Sequence, residues 1–143
     1  LDSGDLSAST LMIAIHSWSE MLDPNICKVV VDNVGRALYF TRAPLPYNRD
    51  HGCVDKSKVD NEAGANQMIF GYKHIGVYAY RKSFLLKFSN MKTSRLENTE
   101  KLEQLRILEN GYSIQVVETK QNSIGVDQPN DLDRIIKNMN GGQ

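Results

Sequence analysis

The sequence predicts an α/β domain built on a mixed sheet. Three observations predict it. Short β-branched or apolar runs recur at residues 10–15 (TLMIAI), 27–31 (CKVVV), 72–80 (YKHIGVYAY) and 113–119 (SIQVVET). Helical patterns separate these runs in the second half of the chain. The first half instead holds a pair of such runs with turn chemistry between them, a β-hairpin. Strands alternating with helices argue α/β, and the hairpin makes the sheet mixed, three layers deep if complete.

Taken in order, residues 10–15 read as a buried strand, and residues 16–25 (HSWSEMLDPN) as a helix-like turn or loop ended by Asp-Pro. Residues 27–31 and 37–42 (ALYFTR) form the hairpin around Asp32-Asn33-Val34-Gly35, where Gly35 is free to take positive φ. Pro44 and Pro46 stop any continuing strand. Residues 48–68 are polar, mixed in charge and without periodicity, and read as a long exposed loop. In the run 72–80, a period of two places His74, Gly76, Tyr78 and Tyr80 on one face. Residues 81–88 suggest a short helix, and Ser94 opens a longer one. Ser94 and Glu97 have capping-box spacing, Leu102, Leu105 and Leu108 give an apolar stripe, and Glu97 with Lys101 is a favourable i,i+4 pair. Gly111 is the natural stop. After Pro129, Leu132, Ile135, Ile136 and Met139 recur at helical spacing in an amphipathic C-terminal helix.

The chain has 143 residues, 41% hydrophobic and 24% charged, which fits one globular domain and not a disordered segment. Its 17 basic and 17 acidic residues cancel, which removes the global electrostatic argument for nucleic acid or a membrane surface as partner. No apolar run approaches the roughly 18 residues of a membrane span. Cys27 and Cys53 cannot make a disulfide framework and read as buried or idle thiols. His16, His51 and His74 are too scattered for a zinc site. The start LDSGDLSAS has neither a signal-peptide pattern nor an initiator Met, so the chain is expected to be a piece of something longer.

Zero net charge hides segregation. Residues 72–95 carry Lys73, Arg81, Lys82, Lys87, Lys92 and Arg95 and no acid. Residues 35–49 carry Arg36, Arg42 and Arg49, again without an acid. These are either solvated faces or the lining of an anion-binding cleft, with Arg42 favoured because it ends a strand. His74 is either a satisfied sheet histidine or a pocket residue, and Tyr78 on the same face is ordinarily core. Glu100 and Gln104 are i,i+4 and read as helix surface. Asp127, ahead of the Pro129 helix, is either a cap carboxylate or a metal ligand at the carboxyl end of a strand.

Five blocks in order then carry a resemblance: Asp23-Pro24-Asn25 leading to Lys28-Val29-Val30, ALYFTRAPLPYNRD at 37–50, KHIGVYAYRKSFL at 73–85, LEQLRILENG at 102–111 and GVDQPNDL at 125–132. Over residues 10–139 the chain resembles the C-terminal part of the 3-deoxy-manno-octulosonate cytidylyltransferase (CMP-Kdo synthetase) family. The resemblance implies a three-layer mixed sheet of the nucleotidyltransferase type. It implies that residues 1–143 are the C-terminal portion of a single domain, the sugar-binding and dimer-forming part, with an exposed loop at 50–71. It implies the reaction CTP + Kdo → CMP-Kdo + pyrophosphate with Mg²⁺, in a cytoplasmic homodimer supplying lipopolysaccharide synthesis.

By the same resemblance Asp127 of the GVD motif is the catalytic metal ligand, and Arg42 lies near the sugar carboxylate, with Thr41 where Ser is usual. His74 and Tyr78 line the Kdo pocket, and Glu103 and Gln104 contact sugar hydroxyls. The family's N-terminal half, with its nucleotide loop and first metal aspartate, has no counterpart here. A proline usual near Arg95 is missing, and Gln128 replaces the usual Thr before Pro129. Two alternatives stay open: the chain is a non-catalytic sugar-binding or dimerisation fragment, or its parent serves a sister sugar acid of the sialic-acid type.

Overall fold

The computed structural model describes residues 6–49 and 69–120. They form one five-stranded mixed sheet with short helices. The elements are β1 (Leu6–Ile15), α1 (Trp18–Leu22), β2 (Lys28–Val31), β3 (Ala37–Thr41), β4 (Gly71–Tyr80), α2 (Lys82–Ser89), α3 (Arg95–Glu100), α4 (Gln104–Glu109) and β5 (Ser113–Glu118). The strand order is β3-β2-β4-β1-β5. β1 runs antiparallel to β4 and parallel to β5, so the sheet is mixed, as the alternation of elements predicts.

β1 begins earlier than its apolar run. Ser7 and Thr10 are buried polar residues inside it, because ladders on both sides satisfy the backbone there. The hairpin forms at the predicted place, with Gly35 at φ 78° and Asp32 Oδ1 accepting the amides of Val34 and Arg36. β4 carries two extra residues: Thr10 pairs with Tyr78 while Leu11 pairs with Ile75, leaving Gly76 and Val77 bulged. Two extra residues preserve the period of two, so His74, Tyr78 and Tyr80 keep one face.

That face is the core face. Ala8, Met12, Val29, Phe40, Ile114 and Val116 pack against Phe84 and Phe88 of α2 and against Leu102, Leu105 and Ile107. Tyr80, Phe84 and Phe88 stack with centroids 6.0–6.4 Å apart, and the Arg106 guanidinium lies 5.0 Å from the Phe88 ring centre. The opposite face is more open, with Val77 and Val117 both exposed.

The helix expected from Ser94 to Gly111 is two helices. Lys101 takes the left-handed conformation at φ 57°, and Leu102 turns into the core behind it. Glu97 still closes the capping box onto the Ser94 amide at 3.0 Å. Its expected partner Lys101 is replaced by Arg106, which reaches back across the break, its Nε donating to Glu97 at 2.8 Å. α4 ends as predicted: Gly111 sits at φ 77°, its amide donates to the Leu108 carbonyl and that of Tyr112 to Ile107, a Schellman closure. Among the described residues no helix is long and apolar enough to cross a membrane. The loop at 50–68, Cys53, His51, Asp127 and the C-terminal helix lie outside the described residues.

The two positive-φ glycines among the described residues differ in surroundings. A Cβ on Gly111 meets nothing within 4 Å, whereas one on Gly35 falls 2.6 Å from Gln115 Nε2 and 3.2 Å from the Val116 carbonyl. Gly111→Ala is therefore expected to cost about 1 kcal/mol, the conformational penalty alone. Gly35→Ala should cost more, because it also displaces Gln115 from its bond to the Val34 carbonyl. Urea denaturation of both variants checks the order.

Candidate functional site

The core face of β4 meets the α3–α4 segment and the end of β3 in a cluster of polar side chains. Its first member is Thr10, whose hydroxyl lies 3.1 Å from the Ile75 carbonyl, 2.9 Å from the Val77 carbonyl and 2.8 Å from His74 Nε2. The hydroxyl has one proton, and both carbonyls can only accept. Two hydrogen bonds form when that proton goes to a carbonyl and the oxygen accepts from His74, against one when it goes to the ring, so the arrangement favours the Nε2–H tautomer, with Nδ1 as an acceptor. Burial pushes the His74 imidazole down to about 4, so the ring is neutral at neutral pH.

The ring is held edge-on to Phe40, centroids 5.0 Å apart, and tilted against Tyr78 at 5.3 Å. The Tyr78 hydroxyl is buried and has no hydrogen-bond partner among the described residues. Burial, with smaller contributions from nearby anionic groups, raises its pKa, so it stays protonated and can donate. A buried hydroxyl without a partner costs stability, on the order of 1–3 kcal/mol. It is a polar group that a ligand oxygen would satisfy.

Cys27 joins this pair to the helices. Its carbonyl accepts the His74 amide at 2.8 Å, and its sulfur accepts from Gln104 Nε2 at 3.6 Å. Burial pushes the thiol up to about 11, against the pull of Arg42 and Lys28, so it is an unreactive thiol as expected. Gln104 is buried rather than on a helix surface. Glu103 stands exposed at the rim, 3.9 Å from Arg106, and its charge is felt at Tyr78 and Tyr80.

Arg42 lies beyond Cys27, at the end of β3. Its Nε donates to the Glu100 carbonyl at 2.8 Å and its Nη1 to the Pro24 carbonyl at 3.0 Å. The Glu100 carboxylate accepts from the Thr41 hydroxyl at 2.7 Å and the Arg42 amide at 3.0 Å. Burial pulls that carboxyl up, but these hydrogen bonds outweigh it and hold it below its ordinary value. Beneath the turn, the fully buried Lys28 ammonium donates to the carbonyls of Asp23, Ile26 and Arg42 at 2.6–2.8 Å.

The structure thus brings His74, Tyr78 and Gln104 together around Cys27, sets Arg42 on the far side of it and leaves Glu103 at the rim. Glu100, read as helix surface, is instead the clasp on β3. Thr10, Lys28 and Cys27 had no signal beyond their place in strand runs. Among the described residues no group of three or more His, Cys, Asp or Glu could hold a metal ion.

Comparison with known proteins gives the family. A family model described as Cytidylyltransferase matches residues 1–119. The chain belongs to the cytidylyltransferase family. It is 46% identical over 138 residues to 3-deoxy-manno-octulosonate cytidylyltransferase of Geotalea uraniireducens, covering 96% of this chain and 53% of that protein. It is 48% identical over 130 residues to the protein of the same name from Geobacter metallireducens, covering 91% of this chain and 50% of the relative. A solved structure of CMP:2-keto-3-deoxy-manno-octonic acid synthetase complexed with CTP matches with a TM-score of 0.79 at 34% identity, over 99% of this chain and 52% of the other. The chain spans about half the length of the curated relatives it matches.

His74 gives a direct test. A folded value near 4 against an ordinary 6.5 means that the unfolded chain binds more protons in between. The imidazole should titrate by NMR near 4, and stability should fall as pH drops from about 6.5 toward 4. His74→Gln should flatten that part of the stability curve.

Proposed function

We propose that the protein containing this chain activates the sugar acid Kdo with CTP, giving CMP-Kdo and pyrophosphate for lipopolysaccharide synthesis. Relatives of that name and a CTP-complexed neighbour support the reading. The observation that carries it is the buried Tyr78 hydroxyl, unpartnered among the described residues, beside a neutral His74, with Arg42 beyond Cys27. One neutral donor and one neutral acceptor suit sugar hydroxyls, and a guanidinium suits a carboxylate.

In the proposed reaction the anomeric oxygen of the sugar forms a bond to the α-phosphorus of CTP. The bond to the β-phosphate oxygen breaks, pyrophosphate leaves, and the hydroxyl proton passes to solvent. Arg42 would orient the sugar by its carboxylate. Tyr78 would donate to one hydroxyl, and His74 Nδ1 and Gln104 would take others. Glu103 would reach them from the rim. Holding the sugar at several points fixes the attacking oxygen in line with the phosphate, which is where most of the rate gain of such a two-substrate reaction comes from.

Mg²⁺ when bound would neutralise phosphate charge. Asp127, a hard oxygen donor outside the described residues, is the residue proposed to hold it. Residues 1–143 then serve as the sugar-acid-binding and dimer-forming portion of a single domain in a cytoplasmic homodimer. A second reading, supported by the half-length coverage of the relatives, is that the 143-residue chain by itself is a non-catalytic sugar-binding or dimerisation fragment that does not bind CTP.

Pyrophosphate release by the full-length protein with CTP, Mg²⁺ and Kdo tests the first reading. Release with a sialic-type acid and not with Kdo would move it to a sister enzyme. Asp127→Asn is expected to abolish turnover while leaving the circular dichroism spectrum unchanged. Near-wild-type activity would remove the metal assignment. Tight CTP binding by the 143-residue chain in calorimetry would sink the second reading.

A further inference from the structure

Arg42 is gripped at four points, and Glu100 supplies two of them. The Arg42 amide donates to the Glu100 carboxylate at 3.0 Å, and Arg42 Nε donates to the Glu100 carbonyl at 2.8 Å. Lys28 holds the Arg42 carbonyl at 2.8 Å, and Pro24 accepts from Nη1 at 3.0 Å. We infer that Glu100 is a positioning residue that aims the guanidinium of Arg42 at an anionic ligand. This rests on the anion-binding role proposed for Arg42 above.

The break in the helix makes the grip available. In a continuous helix the Glu100 carbonyl would accept the amide of the residue four further on, Gln104. The left-handed Lys101 ends α3 at Glu100, and the carbonyl turns to Arg42 instead. Of the five guanidinium N–H groups, Nε and one on Nη1 are used on main-chain carbonyls. Among the described residues the other three, including both on Nη2, have no partner, and a bidentate carboxylate contact needs two. The carboxylate of Glu100 is meanwhile occupied by the Arg42 amide and the Thr41 hydroxyl. It holds the backbone under Arg42 without capping the guanidinium.

Charge and geometry predict opposite signs, which makes the inference testable. If Glu100 acted on an anionic ligand only through its charge, removing it would tighten binding. If it positions Arg42, removing it loosens binding. The experiment is steady-state kinetics of the full-length enzyme with Kdo and CTP varied separately. Glu100→Ala is expected to raise KM for Kdo about tenfold, the scale of one lost charge-assisted hydrogen bond, with KM for CTP within about twofold of wild type. Glu100→Gln should restore most of the loss. Its amide oxygen can take the Arg42 amide while its NH₂ donates to a rotated Thr41 hydroxyl. Glu100→Asp keeps the charge but loses one methylene of reach, so it should behave like Ala; it also serves if Glu100→Ala does not fold.

A lower or unchanged KM for Kdo in the Ala or Asp variant would overturn the inference, as would an equal rise in both KM values. Arg42→Ala is the control arm. If it leaves KM for Kdo unchanged, the reading of the site fails. If it raises KM while Glu100→Asp does not, only the positioning role fails.

Discussion

One hydroxyl organises the centre of the sheet. β4 is flanked by β1 and β2, so an irregularity in it would ordinarily leave main-chain groups unsatisfied within the sheet. The two bulged residues, Gly76 and Val77, create such an irregularity, and Thr10 answers it by lying within hydrogen-bond distance of the Ile75 and Val77 carbonyls. The same oxygen favours one tautomer of His74, the Nε2–H form. Sheet geometry and site chemistry therefore share an atom. Valine, the same shape as threonine without the hydroxyl, would release both. The bulge also sets what the face can present. An insertion of one residue would have sent Tyr78 and Tyr80 to the opposite face, whereas two residues keep them with His74 and in line with Phe84 and Phe88.

The helices depend on a second device, the pair of Glu97 and Arg106. Glu97 caps α3 through the Ser94 amide and binds Arg106 of α4, so one carboxylate joins the start of one helix to the body of the next. Six-residue helices are too short to be stable by propensity. They persist here because Leu102, Leu105 and Ile107 are buried against the sheet and because this ion pair, with both side chains about nine-tenths covered, spans the break. The Arg106 hydrogen bonds hold Glu97 below its usual carboxyl range. Replacing one partner alone would leave the other charge poorly solvated, which is why such pairs are more costly to break than to omit.

Much of this was legible in the residues. Strand runs, the Asp32–Gly35 turn, the capping box and the Gly111 stop are local signals, and the structure follows them. The face carrying His74 and Tyr78 was legible too, though only because the bulge conserves parity. The break at Lys101 was not, since no Gly or Pro marks it. Its cause is tertiary: Leu102 turns into the core while Glu100 is drawn to the end of β3. Reading through it misplaced Glu100 and Gln104. At i,i+4 on one helix they would share a solvent face. On two helices they turn to different partners, Glu100 to Thr41 and Arg42, Gln104 to Cys27. Lys28 gave no warning either, because a lysine among valines reads as an outward strand position, and only the fold closes three carbonyls around it.

Those carbonyls point to a common logic for the two cations at the hairpin's end. Among the described residues the Lys28 ammonium and the Arg42 guanidinium each donate to main-chain carbonyls and to no carboxylate. A carbonyl satisfies a donor but carries no net charge, so it orients a cation without neutralising it. Burial already lowers the Lys28 pKa, because the cage returns only part of what water would give the ammonium. Had Arg42 met the Glu100 carboxylate fork to fork, the pair would have been tighter and electrically closed. Instead the carboxylate is turned to the backbone and the guanidinium keeps its outer N–H groups. An arginine held this way is rigid and still positive, the combination that an anion-binding position needs: little ordering left to do on binding, and a charge not yet spent on the protein itself.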